Sequence, residues 1–134
     1  NLIINNKKIE LNDFIPNHEV SKKMSKAKFL IFPSEWYEGF SITLLEAFVN
    51  RLPVLSSNIG SMQEIIENNV NGMLFKSGDV PDLIEKINKM IENPDMLKTL
   101  KDKAYEKYQI LYSKKKNYKT LVNIYKEVRG DYSI

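Results

Sequence analysis

The sequence predicts an α/β fold, part of an open, doubly wound parallel sheet followed by an all-helical C-terminal end. Short apolar runs alternate with helix-period patterns between residues 29 and 92, and strands separated by helices must run parallel through crossovers. The run Phe29-Leu30-Ile31-Phe32 is uninterrupted, as expected of a strand covered on both faces. From Pro81 onward the pattern is helical throughout, which reads as packing rather than chemistry.

Leu2, Ile3 and Ile4 run into Asn5, Asn6, Lys7 and Lys8, the expected end of an element that begins upstream, followed by a polar turn. Residues 9–14 alternate enough for a short strand. Pro16-Asn17 breaks it, with Asn17 placed as N-cap of a helix carrying Val20, Met24 and Ala27 on one face. Strand 29–32 stops at Pro33, and a helix follows over about residues 40–49. The next strand, 52–55, contains Pro53, whose position must face away from the ladder, and Ser56 and Ser57 are expected to end it. Gly60-Ser61 precedes a helix over 62–67, Asn71-Gly72 marks a turn, and Met73-Leu74-Phe75 is the last strand before Gly78-Asp79. Asp79 is placed to cap a helix over 81–92 with a stripe of Leu83, Ile84, Ile87 and Ile91. Helices over about 95–112 and 113–128 complete the chain. Three or four strands are few for such a sheet, so residues 1–134 are expected to be one fragment of a larger domain, with 95–134 as its C-terminal helices.

A chain of 134 residues, 43% apolar and 28% charged, has the composition of a globular domain. No run approaches the roughly 18 apolar residues of a membrane span, no signal-peptide pattern opens the chain, and the cytoplasm is the expected compartment. The absence of cysteine excludes disulfides, thiolate metal sites and a cysteine nucleophile. A net charge of +3 with interspersed signs is too weak for a nucleic-acid partner. Nine lysines lie between Lys98 and Lys126, Lys114, Lys115 and Lys116 among them. A solvated helix face is the main reading of this run, and peripheral contact with anionic lipid is the lesser one.

In open α/β sheets, ligands bind outside the carboxyl ends of the strands. Pro33-Ser34-Glu35-Trp36-Tyr37-Glu38-Gly39 occupies that place. Gly39 permits close backbone approach, and the helix start near Phe40 offers free N–H groups and a positive dipole end, which suit a phosphate. Carboxylates beside an anion site need another purpose, and pairs of sugar hydroxyls are natural partners for them. Glu46 falls about 40° from Ile42 on the helix and beside Thr43, at the border of an apolar arc of Leu44, Leu45, Phe48 and Val49. An acid there must be paired or bound to something. The plainer reading makes Glu46 a solvated helix acid and Glu38 an acid favoured by the helix dipole, and the residues alone leave both readings open.

Taken together, Pro33-Ser34, Glu38-Gly39-Phe40-Ser41, Leu45-Glu46-Ala47, Leu52-Pro53-Val54-Leu55, Gly60 with Glu64, Asn71-Gly72 and Gly78-Asp79 resemble the second domain of the retaining GT-B glycosyltransferases of the group 1, or family 4, type. The resemblance runs from about Phe14 to the C-terminal helices and centres on an E-x7-E pair. It implies a partial Rossmann-like sheet, the C-terminal donor-binding half of a GT-B fold. It implies a parent enzyme that moves a sugar from a nucleoside-diphosphate sugar to an acceptor hydroxyl, in bacterial surface polysaccharide synthesis.

By the same resemblance Glu46 takes the ribose hydroxyls and Glu38, as the catalytic residue, the transferred sugar. Gly39, Phe40 and Ser41, with Thr43 beside them, meet donor sugar and phosphate oxygens, and Phe14, Ile15 and Pro16 flank the nucleobase. Attack from the face of the leaving phosphate would retain configuration, with Glu38 positioning rather than forming a covalent bond. The sequence has no Asp-x-Asp pair, so no metal and no cofactor are expected beyond the donor substrate. The basic pair facing the diphosphate and the domain binding a saccharide or lipid-linked acceptor are expected upstream of Asn1, leaving this piece inactive alone.

The family pattern is not matched everywhere. Arg51 stands where glycine is usual, so Asn50 or Arg51 must take positive φ, and Asn50 is the easier choice. Ser61 replaces a second glycine and Gln63 a frequent proline. His18 reads as a surface residue, and Glu64 as a structural first-turn acid. Trp36 and Tyr37 could equally stack on a sugar or cover core, and the tyrosines 105, 108, 112, 118 and 125 read as a core stripe or a contact with the absent domain. Two rival functions use the same architecture: a nucleotide-sugar epimerase, and a non-catalytic α/β binding or regulatory module.

Overall fold

The computed structural model describes residues 8–37 and 39–130. They form α1 (Asn17–Met24), β1 (Leu30–Phe32), α2 (Ile42–Val49), β2 (Val54–Ser57), α3 (Met62–Ile65), β3 (Gly72–Phe75), α4 (Val80–Glu92), α5 (Pro94–Lys107), a π-helical turn (Tyr108–Tyr112) and α6 (Lys114–Arg129). The three strands are parallel in the order β1-β2-β3, with Leu30 opposite Val54 and Val54 opposite Gly72. The alternation of helix and strand thus produces the crossover sheet it predicts.

Successive strand residues point to opposite faces, and this divides the core. Leu30, Phe32, Val54 and Leu74 pack with α1, α2 and α3 around Leu44, Phe48, Met62 and Ile65. Phe29, Leu55, Met73 and Phe75 pack with α4 and α5 around Met90, Leu97 and Leu100. Gly72 starts β3 because nothing larger fits: a Cβ there would stand 2.6 Å from the Val54 carbonyl oxygen. Asp79 caps α4 as its spacing predicts, accepting from the Asp82 N–H at 3.1 Å, with Pro81 in the first turn.

Several expectations are corrected. Residues 9–14 form no strand. β1 pairs only with β2 among the described residues, and Ile9, Leu11 and Phe14 are exposed, so this segment has no ladder to join. Asn17 is the first helical residue rather than the cap, which is Pro16. β1 lies at an edge of the sheet, and Ile31 is partly open to solvent rather than covered. The strand expected at 52–55 slides to Val54–Ser57, leaving Pro53 just outside, where its carbonyl accepts from the Leu30 N–H at 2.9 Å. Ser56 and Ser57 do not end it, because their hydroxyls find acceptors inside the fold. α3 stops at Ile65, short of residue 67, because the Asn71 side chain takes the Glu67 N–H and donates to the Ile65 carbonyl. The helix expected over 95–112 is α up to Lys107 and then widens into the π turn.

The left-handed residue after α2 is Arg51, at φ 55°, and not Asn50. The Asn50 amide is already engaged, donating to the Glu46 carbonyl and accepting from the Ser21 hydroxyl, both at 2.8 Å. Arg51 then closes the helix in a Schellman pattern, with the Leu52 N–H on the Ala47 carbonyl. Its guanidinium lies 4.1 Å from the centre of the Tyr105 ring and 3.1 Å from Asp102, contacts that help offset the unfavourable backbone.

Candidate functional site

The loop from Pro33 to Phe40 leaves the carboxyl end of β1 and is tied to β2 at its base. The Ser56 hydroxyl donates to the Phe32 carbonyl at 3.2 Å, and the Ser57 hydroxyl donates to the Ser34 carbonyl. Both serines are buried, so these bonds satisfy them and fix where the loop departs. The sequence pattern marks these serines as strand terminators and does not announce this role. The available signal was an apolar strand closing in two hydroxyls next to a site loop. Glu35 reaches toward the turn after β3, where a Cβ on Gly78 would stand 3.9 Å from its Oε1.

Trp36 and Tyr37, at 81% and 83% exposure, cover no core. Glu38 lies outside the described residues. A Cβ on Gly39 would meet no atom within 4 Å, so its backbone borders open space. Phe40 is half exposed, and its ring meets that of Tyr112 with centroids 6.0 Å apart at 58°. Ser41 is buried and is the N-cap residue of α2, but its side chain makes no capping bond. Among the described residues no side chain caps the N–H groups of the first turn, and they carry the positive end of the helix dipole at the carboxyl end of the sheet.

Thr43 and Glu46 follow on α2, both half-buried. Among the described residues no hydrogen bond or ion pair is formed by the Glu46 carboxylate, although its backbone carbonyl is taken by Asn50. Ile15, half-buried, sits in the irregular segment before α1. The structure thus puts Gly39, Phe40, Ser41, Thr43 and Glu46 at and just beyond one helix start, and leaves Ile15 on a separate segment. The described residues hold no cluster of three His, Asp or Glu side chains that could bind a metal ion. No described helix is long and apolar enough to cross a membrane. His18, with 79% of its side chain exposed near Glu19, is a surface residue as expected, and Glu64 stands in the first turn of α3. Of the tyrosines, 105 and 108 are partly buried, while 118 and 125 are exposed on α6 and belong to no core.

What this arrangement can do is hold an anion at the α2 start while the Glu46 carboxylate, one turn on and without a partner among the described residues, accepts hydroxyl hydrogen bonds. Residues 3–107 match the sequence profile described as glycosyl transferases group 1. The chain belongs to this family. An uncharacterized glycosyltransferase of Methanocaldococcus jannaschii is 35% identical over 88 residues, 66% of this chain and 25% of that protein. Sucrose-phosphate synthase from Thermosynechococcus elongatus superposes with a TM-score of 0.79 at 23% identity, over 88% of this chain and 29% of that one, a likeness of fold. The Anabaena protein HepE, solved in complex with UDP-glucose, gives 0.63 at 27% identity over 66% of this chain and 24% of its own. The chain thus has the expected α/β architecture, that of the C-terminal half of a GT-B fold. It spans about a quarter of the length of curated relatives it matches.

Proposed function

We propose that this chain is the donor-binding part of a retaining glycosyltransferase that moves a sugar from a nucleoside-diphosphate sugar to an acceptor hydroxyl of a saccharide or lipid-linked glycan, in bacterial surface polysaccharide synthesis. The observation that carries the proposal is Glu46: among the described residues, a half-buried carboxylate without a side-chain partner, one turn beyond a helix start whose N-cap serine makes no capping bond. The Anabaena neighbour's UDP-glucose complex supports the same ligand class.

In this reading the donor diphosphate lies at the α2 N-terminus, held by backbone N–H groups of residues 39–41, and Thr43 lies alongside. Glu46 accepts from the ribose hydroxyls, Glu38 holds hydroxyls of the transferred sugar, and Ile15 flanks the nucleobase. As the bond from the anomeric carbon to the phosphate oxygen lengthens, charge grows on the diphosphate and the sugar becomes oxocarbenium-like. A positive helix end aimed at the leaving oxygens lowers that barrier without reorganisation. The acceptor oxygen attacks from the same face, and its proton passes to the departing phosphate oxygen. Configuration is retained without a covalent enzyme intermediate. Basic side chains facing the diphosphate, and the acceptor site, are assigned to the rest of the protein, so the 134-residue chain alone transfers no sugar.

The test is product analysis by NMR, with the intact protein supplied with UDP- and GDP-hexoses and a saccharide acceptor mixture. A glycoside of the donor's own anomeric configuration is expected. An inverted glycoside contradicts retention, an epimerised nucleotide sugar makes the protein an epimerase, and measurable transfer by residues 1–134 alone overturns the expected inactivity of this part.

A further inference from the structure

Phe40 closes the site loop at its C-terminal side, and its ring touches the helical end of the chain at Tyr112. Before it, Trp36 and Tyr37 stand in solvent and Gly39 borders empty space. The loop is tied at its other side by the Ser57 hydroxyl on the Ser34 carbonyl. Phe40 itself rests on Tyr112, with ring centroids 6.0 Å apart and planes tilted by 58°, a favourable arrangement of two aromatic quadrupoles. Leu45, Leu111, Asn117 and Thr120 line the same groove, of about 260 Å³.

Tyr112 is well placed to act as an abutment. It is the last residue of the π turn Tyr108–Tyr112, and the next residue, Ser113, caps α6 by accepting from the Lys116 N–H at 3.3 Å. The wider turn changes the direction in which residues 110–112 project compared with a continued α-helix, and such turns are frequent at functional sites. Partial burial, with the Glu64 carboxylate nearby, pushes the Tyr112 phenol above its ordinary range.

We infer that Tyr112 is a positioning residue for the donor: its ring holds Phe40, and through Phe40 sets the backbone of residues 39–41 at the α2 start in the conformation that receives the diphosphate. This rests on the donor reading above. It gives the π turn a task in the site although Tyr112 need not touch the ligand. The contact is between rings, so the hydroxyl is dispensable.

The experiment uses the intact protein and reads UDP affinity, donor KM, kcat and Tm for Tyr112→Ala, Tyr112→Phe, Phe40→Ala and the double alanine variant. Leu97→Ala, in the core on the other face of the sheet, serves as a destabilised control. Tyr112→Ala is expected to raise donor KM and UDP Kd roughly two- to tenfold with kcat nearly unchanged. Tyr112→Phe should behave as wild type, and the double variant should be no weaker than the worse single one, since both remove one contact. Leu97→Ala should lower Tm and leave KM alone. A Tyr112→Ala protein with lowered Tm and wild-type KM overturns the inference, as does full multiplication of the two single effects. Should Tyr112→Ala not fold, Phe40→Ala carries the test, and wild-type KM in it overturns the inference equally. If Glu46→Ala weakens UDP binding while these variants do not, the positioning role alone falls. If Glu46→Ala changes nothing, the donor reading falls and takes this inference with it.

Discussion

In β2 every residue is buried, and Ser56 and Ser57 donate their hydroxyl protons to the carbonyls of Phe32, at the end of β1, and Ser34, in the loop after it. At the head of α2, Gly39, Phe40 and Ile42 are exposed, and Ser41 is buried without capping. Glu46, farther along, lacks a side-chain partner among the described residues. Both stretches flank the carboxyl end of one parallel sheet. A strand whose polar groups are all satisfied can only support, whereas a helix start without a side-chain cap among the described residues, beside an exposed backbone, can receive.

Substitutions at two glycines should break or sharpen that contrast. Gly72→Ala pushes a Cβ to 2.6 Å from the Val54 carbonyl oxygen and against Ile66, and should destabilise the protein by about 1–3 kcal/mol in urea denaturation. Stability unchanged within error would show that β2 and β3 are less tightly apposed than described. Ser57→Ala removes the tie to the Ser34 carbonyl and should cost about 0.5–1.5 kcal/mol by the same measurement, with weaker UDP binding because the loop base is loosened. Wild-type affinity would remove the serine from the site's support. Gly39→Ala, by contrast, meets only open space and should change stability by less than about 0.5 kcal/mol while raising donor KM. A large stability loss with unchanged KM would reverse the roles assigned to the two glycines.

The smallest effect is expected away from both regions. Asp82 accepts from the Lys76 backbone N–H at 2.7 Å and pairs with Lys86 at 3.2 Å, and these contacts, the backbone bond first, hold its carboxyl below the usual aspartate range. A depressed folded pKa means stability that is present above the unfolded value, about 3.9, and lost as pH falls through the folded one. Asp82→Asn should therefore be slightly less stable than wild type at pH 7, with the gap closing below about pH 4. A gap that widens in acid would contradict the assignment.

How much of this was legible in the sequence depends on how local each signal is. The Asp79 cap needed only its neighbours and came out as expected. The order of strands and helices followed from periodicity. The strand expected at 9–14 failed because alternation shows what a segment could do, while pairing requires a partner that the segment itself does not encode. Arg51 took the left-handed position because Asn50 is bonded to Ser21 on another helix, a tertiary fact. In the site, the border position of Glu46 could be read from helix geometry, and the structure places it half-buried on α2. Glu38 lies outside the described residues. The Phe40–Tyr112 contact was illegible, because the residues are distant in sequence and meet through a π turn that no periodicity announces.

The proposed donor site depends first on the Glu46 carboxylate accepting from the nucleotide's hydroxyls. Calorimetric titration of UDP and GDP into the intact protein and its Glu46→Ala variant tests it most directly. Wild type is expected to bind one of the two nucleotides, with affinity weakened at least about tenfold in the variant, as follows from losing charge-assisted hydrogen bonds, and with Tm essentially unchanged. Absence of binding to either nucleotide, or equal affinity in the two proteins, would contradict it.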